Sequence, residues 1–229
     1  MEGCALINFV EYPDRDLLAM DLASQLADEL NNALHHDDRA TLVVPGGTTP
    51  GPIFDDLCAA DVDWSRVDVS LSDERWVPET SDRSNTKLIK ERLLIDRASA
   101  AGYLSMYAPF DTPEEGLPSL IGQYETRCPL TVVVLGMGAD MHTASIFPGA
   151  DNLELALSDD APLLVAMRAP GAPEPRITLA AYALAGALNK HVVIFGDEKR
   201  AALEKALMLD PYEAPIKAVL RGATVHWAP

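Results

Sequence analysis

Thr131 to Gly149 reads TVVVLGMGADMHTASIFPG. Val132, Val133, Val134 and Leu135 form a short continuous apolar run rich in β-branched residues, which predicts a strand covered on both faces, as in parallel sheets. Gly136 and Gly138 end it in a turn where the backbone can approach a ligand closely. His142 and Thr143 follow at the carboxyl end of the strand, the edge at which open α/β sheets collect ligands. Phe147-Pro148-Gly149 is expected to stop a short helix begun at Thr143. His142 is thus a candidate catalytic group, although a histidine behind a glycine-rich strand exit is often no more than a loop residue. Two nucleotide motifs are excluded. The run Gly136 to Met141 lacks the third glycine of the dinucleotide fingerprint, and no Lys-Ser/Thr pair follows to make a phosphate-binding P-loop.

The 229 residues suffice for one well-filled α/β domain, so a single domain over 1–229 is expected. With 48% hydrophobic residues the chain can fill a sizeable core. No stretch reaches the length of a membrane span, and no basic region precedes an apolar run at the N-terminus, which points to the cytoplasm. Cys4, Cys58 and Cys128 are scattered, with neither a disulfide framework nor zinc spacing. Eighteen Lys+Arg against 35 Asp+Glu give a formal charge of −17, which argues against nucleic acid and anionic membranes as partners. In so acidic a chain, cations near a ligand edge stand against the general field. Arg75, Arg176 and Lys199 are candidates by position.

Elsewhere the pattern alternates strand and helix, which predicts a mostly parallel sheet with helices on both faces. A first strand is expected over 5–10. Leu18, Leu22, Leu26 and Leu30 then recur at four-residue spacing behind Asp14, an amphipathic helix with its N-cap. His35 and His36 fall at its end and read as exposed. The strand Ala40–Val44 runs into Pro45-Gly46-Gly47-Thr48-Thr49-Pro50 and a helix near Pro52. Such a turn can cradle an anion with backbone amides and threonine hydroxyls, or be a plain connection. Val67–Leu71 is a third strand, and its exit carries Asp73, Glu74 and Arg75. Arg75 can meet a phosphate or carboxylate with two hydrogen bonds. Helices are expected over 85–95 and 119–127, with 101–118 as loop. Leu163–Met167 reads as a strand, followed by a proline-rich loop holding Arg176 and by Thr178 as a helix cap. His191–Phe195 is another strand. Lys199 sits in the first turn of the next helix, where a cation opposes the helix dipole and so hints at another use. A short helix near Ile216 and a strand at 224–227 close the chain, with His226 structural.

Taken together, Gly46-Gly47-Thr48-Thr49-Pro50, Asp73-Glu74-Arg75-Trp76-Val77-Pro78 with Ser84-Asn85, Leu135 to Gly149, Arg176-Ile177-Thr178 and Gly196-Asp197-Glu198-Lys199 resemble the 6-phosphogluconolactonase family. Its superfamily includes glucosamine-6-phosphate deaminase and ribose-5-phosphate isomerase. Pro45 and Met141 depart from the family pattern, Met141 standing where a glycine is usual. The resemblance implies a three-layer Rossmann-like fold of the sugar-phosphate isomerase/deaminase type. It also implies hydrolysis of a 6-phosphogluconate δ-lactone without metal or organic cofactor, by a monomer or weak homodimer. His142 is then the general base, with Asp140 or Asp73 orienting its ring and Arg75 or backbone amides meeting the oxyanion. The phosphate is expected among Gly46, Gly47, Thr48, Thr49, Asp73, Arg75, Arg176 and Lys199. A deaminase is the alternative enzyme, but Thr143-Ala144-Ser145-Ile146-Phe147-Pro148 stands where deaminases continue differently. A silent sugar-phosphate sensor is the non-enzymatic alternative, and fold alone does not separate them.

Overall fold

A seven-stranded, wholly parallel sheet carries the molecule. The structure, a computed structural model, describes residues 7–229. The first half of the chain runs β1 (Asn8–Glu11), α1 (Arg15–Leu34), β2 (Ala40–Val44), α2 (Gly51–Leu57), β3 (Val67–Leu71), β4 (Asp73–Arg75), α3 (Asn85–Arg92), β5 (Gly102–Leu104) and α4 (Pro113–Glu125). The second half runs β6 (Val132–Gly136), α5 (Leu153–Leu157), β7 (Leu164–Met167), β8 (Arg176–Leu179), α6 (Ala181–Ala185), β9 (Asn189–Phe195), α7 (Gly196–Ala206) and β10 (Thr224–Ala228). Residues 5 and 6 of the expected first strand, like Cys4, lie outside the described residues.

Every residue of β2 and β3 is buried, as are the first four of β6. Because successive side chains alternate between faces, full burial means that both faces of the sheet centre are covered. The helix behind Asp14 forms as its spacing predicts. The Asp14 carboxylate accepts from the Leu17 amide, and Leu18, Leu22, Leu26 and Leu30 are wholly buried. Each such side chain contributes about 1.5–3 kcal/mol of hydrophobic stabilisation.

The parallel strands lie in the spatial order β1-β10-β9-β6-β2-β3-β5: the chain passes from β2 to β3 and β5 on one side, then returns to build β6, β9 and β10 on the other. The order therefore reverses between β2 and β6, and the loops leaving their carboxyl ends part there. A crevice at that reversal is the usual ligand site of open α/β sheets.

Four sequence expectations are corrected. Residues 143–146 form a tight turn closed by an antiparallel bridge between Thr143 and Ile146, and no helix begins there. The fourth helix starts at Pro113 instead of residue 119, because Thr112 and Glu115 make a reciprocal capping box ahead of a proline in the first turn. Part of the expected loop before it is β5, which pairs with β3. Finally, Thr178 caps no helix. Arg176–Leu179 is β8, the middle strand of a second, antiparallel sheet β4-β8-β7, and the helix after it starts behind Ala180. A separate apolar cluster of Ile146, Leu153, Val165 and Met167 with smaller neighbours supports this sheet.

Candidate active site

A cleft of about 660 Å³ opens where β2 and β6 part. The loops after β2, β3, β6 and β9 all reach it: Gly46 to Thr49, Asp73 with Arg75, Gly136 to Gly138 with His142, and Phe195 with Lys199 line its wall. Arg176 enters from β8. Every expected site residue except Asp140 therefore lines one cavity, and Asp140 touches it through His142.

The imidazole is built by its loop. The Gly138 amide donates to the His142 carbonyl at 2.9 Å and the Met141 amide to the Gly138 carbonyl at 3.0 Å, folding the loop back on itself. Met141 takes a positive φ of 66°, a conformation that ordinarily favours glycine. A Cβ on Gly138 would overlap the His142 ring, so glycine is required there. Asp140 Oδ1 lies 2.5 Å from His142 Nδ1 and also accepts the His142 amide at 3.2 Å. Burial works to raise the Asp140 carboxyl, but the charge and hydrogen bonds of His142 outweigh it and hold the group below its ordinary range. An ionised carboxylate on Nδ1 fixes the proton there and leaves the Nε2 lone pair free to accept one. The face of the ring stacks on Phe147, with centroids 4.2 Å apart.

Asp73, the other carboxylate considered for the ring, is turned elsewhere. It accepts from Ser72 Oγ at 3.0 Å and from Ser145 Oγ at 2.5 Å, and it lies 3.9 Å from Arg176 Nη1.

The second sheet decides where the cations stand. In the antiparallel register of β4 and β8, Arg75 lies directly opposite Arg176. Like charges facing each other across a ladder are destabilising, so this pairing exacts a cost that an anion between them would remove. Among the described residues, neither Arg75 Nε nor Arg176 Nε has a hydrogen-bond partner, although both atoms are buried. Buried donors of this kind normally find partners. Burial lowers the Arg176 guanidinium from its ordinary value, Asp73 opposes this, and Arg75 adds like-charge repulsion.

Lys199 lines the cleft from α7 and donates to the Met137 carbonyl at 2.5 Å, on the loop that leads to His142. Gly46 faces the amide of Asn85, and a Cβ at Gly46 would overlap that side chain. Asn85 in turn donates to the Asp73 carbonyl at 3.0 Å.

Three contributors escape a reading of the sequence. Glu74 is wholly buried and accepts the amides of Arg75, Asn85 and Thr86 and the hydroxyls of Ser84 and Thr86, which ties β4 to the start of α3. In sequence it looks like any charge at a strand exit. Ser145 and Phe147 were hidden by the helix expected after Thr143. The bridge between Thr143 and Ile146 was signalled weakly, because Ala144 occupies the turn position with positive φ, 48°, where a hairpin usually shows glycine.

Known proteins resemble the chain over most of its length. The 6-phosphogluconolactonase of Pseudomonas aeruginosa is 39% identical over 215 residues, covering 92% of this chain and 90% of its own. That of Rhizobium meliloti is 41% identical over 221 residues, covering 93% and 94%. The crystal structure of a 6-phosphogluconolactonase from Shewanella baltica superposes with a TM-score of 0.95 at 36% identity, over 99% of this chain and 100% of its own. A monomeric glucosamine-6-phosphate deaminase shares the fold alone, at 16% identity and a TM-score of 0.77. Residues 13–227 match the family of glucosamine-6-phosphate isomerases/6-phosphogluconolactonase, and to that family the chain belongs.

Proposed function

We propose that the chain hydrolyses 6-phospho-D-glucono-1,5-lactone to 6-phospho-D-gluconate in the oxidative pentose phosphate pathway, with His142 as the general base. The observation that carries this reading is an imidazole held by a carboxylate in the same cleft as two facing arginines with unpartnered Nε groups.

The chemistry follows from those groups. Water is a weak nucleophile toward an ester carbonyl at neutral pH, and His142 Nε2 takes its proton as the oxygen attacks C1. The carbonyl π electrons move onto oxygen, and the resulting oxyanion is met by the Arg75 guanidinium or by cleft amides. When the intermediate collapses, the C1–O5 bond breaks and the imidazolium returns a proton to O5. The acid so formed ionises to the gluconate. Asp140 keeps the ring in the tautomer that permits both transfers. The 6-phosphate lies against the Gly46-Gly47 turn with Thr48 and Thr49, held by Arg75, Arg176 and Lys199. Water, a base and cations suffice, so no step calls for a metal or organic cofactor.

On this reading the chain is one domain, acting as a monomer or weak homodimer in the cytoplasm on a small sugar-phosphate lactone. The charge of −17 supports a small-molecule substrate over nucleic acid or membrane. No helix among the described residues is long and apolar enough to cross a membrane.

The test is hydrolysis of the phosphorylated lactone, corrected for the spontaneous reaction. The parent should exceed that rate, and His142→Asn should keep its fold while kcat falls by about 10²–10⁴. A parent no faster than the spontaneous reaction overturns the activity. A folded His142→Asn variant with parental turnover overturns the assignment of the base.

A further inference from the structure

Asp140 holds His142 by one edge only. A single hydrogen bond at Nδ1 sets where that edge lies but leaves the ring free to swing about the bond, carrying Nε2 through an arc. A flat surface against the ring face removes that freedom. Phe147 supplies one, with ring centroids 4.2 Å apart and planes at 30°. The backbone delivers this contact. The bridge between Thr143 and Ile146 makes Ala144 and Ser145 a two-residue turn, so that His142 and Phe147 are the next pair across it.

Phe147 is itself held from several directions. It packs against the apolar cluster under the second sheet, and its neighbour Ile146 is wholly buried. The Arg176 guanidinium carbon lies 5.3 Å from its ring centroid, and Arg176 is drawn in turn toward Asp73.

We propose that Phe147 is a positioning residue for the hydrolysis: its ring fixes the plane of the His142 imidazole, so that Nε2 addresses a single point in the cleft. This rests on the assignment of His142 as the base. An aliphatic side chain of similar volume fills the space but offers no plane, so the flatness of the residue is what the reaction uses.

The experiment compares Phe147→Tyr, Phe147→Leu and Phe147→Met, each also made in the His142→Asn background. The variants compared are those whose circular dichroism and thermal midpoint match the parent, and methionine serves where leucine does not fold. Phe147→Leu or Phe147→Met should lower kcat about tenfold or more, the scale of loss from small misplacements of a reacting group. KM should stay within about threefold, while Phe147→Tyr, which keeps the plane, should retain most of the parental kcat. On His142→Asn the same changes should cost nothing further, because residues that act as a unit are not additive. Parental kcat in the aliphatic variants overturns the proposal. So does an equal loss in both backgrounds, which marks a purely structural role, or a raised KM with kcat intact, which moves the role to substrate binding. Parental turnover in His142→Asn alone removes the base itself, a failure distinct from these.

Discussion

At the residue scale, the loop that presents His142 contains two non-glycine residues with positive φ, and they predict opposite outcomes. Met141, at φ 66°, is strained by about 1–2 kcal/mol, but its side chain is buried against the core. Removing a buried methionine side chain costs about 2–5 kcal/mol, so Met141→Gly should destabilise the protein by about 2 kcal/mol despite relieving the backbone. Ala144, at φ 48°, has only a methyl to lose, and Ala144→Gly should stabilise by up to about 1 kcal/mol. Urea unfolding measures both, and the same sign for the two would show that strain and packing are weighed wrongly here. His142 was legible because strand, turn and ligand edge are contiguous in sequence, whereas Asp140 stood there only as one of two carboxylates that could meet it. Phe147 was not, since its partner depends on a turn that alanine disguises.

At the scale of elements, the pairing of β4 with β8 sets Arg75 directly opposite Arg176, and inorganic phosphate should bind beside the two. At a hundred times its dissociation constant a ligand of the native state adds about 2.7 kcal/mol, which for a chain of this size raises the thermal midpoint by about 5–10 °C. Arg176→Gln should lose most of that shift while its midpoint without phosphate stays within a few degrees, because the change also removes a like-charge contact. Equal shifts in parent and variant would locate phosphate elsewhere. A second element-scale prediction concerns β9, β10 and α1, which share a polar chain running through two buried histidines. Tyr12 donates to Asp21 at 2.8 Å, His226 Nδ1 lies 3.0 Å from the Tyr12 hydroxyl, and His226 Nε2 lies 3.0 Å from His191 Nδ1. His191 Nε2 reaches Glu29 at 2.8 Å. With Tyr12 donating to Asp21, neutral His226 donates through Nδ1 and accepts through Nε2, so a second proton would set two N–H groups against each other. Burial and the neighbouring His191 lower His226 from 6.5 to about 4, with Asp21 partly opposing. The unfolded chain therefore binds the extra proton first as pH falls. The stability is fully present above about 6.5 and is lost between about 6.5 and 4, about 2 kcal/mol of it by pH 5. His226→Gln should flatten that part of the pH dependence measured by urea unfolding, and an unchanged slope would assign it to the carboxylates.

At the scale of the whole molecule, a charge of −17 opposes both the compact state and an anionic substrate. Screening shortens the reach of that field from about 10 Å at 0.1 M salt to about 3 Å at 1 M. The surface ion pairs that salt also weakens are worth little each, so the thermal midpoint should rise by about 2–4 °C over that range. A fall would mean that paired charges outweigh the general repulsion. Against the same field, the phosphate must be recognised locally. Lys199→Ala should raise KM for the phosphorylated lactone, a loss of about 1.5–3 kcal/mol, and barely change hydrolysis of unphosphorylated gluconolactone. Equal losses on both would leave Lys199 only its brace to the Met137 carbonyl. By itself the sequence determined the parallel sheet and the edge where its loops gather, since buried strands, helix spacing and glycine exits are local patterns. Only the tertiary structure decided that Asp140 rather than Asp73 meets the imidazole, that Phe147 lies on its face, and that Arg75 and Arg176 stand opposite each other. Those pairings join residues far apart in the chain or turn on one backbone angle. A three-residue polar strand such as β4 has no period by which to announce its partner.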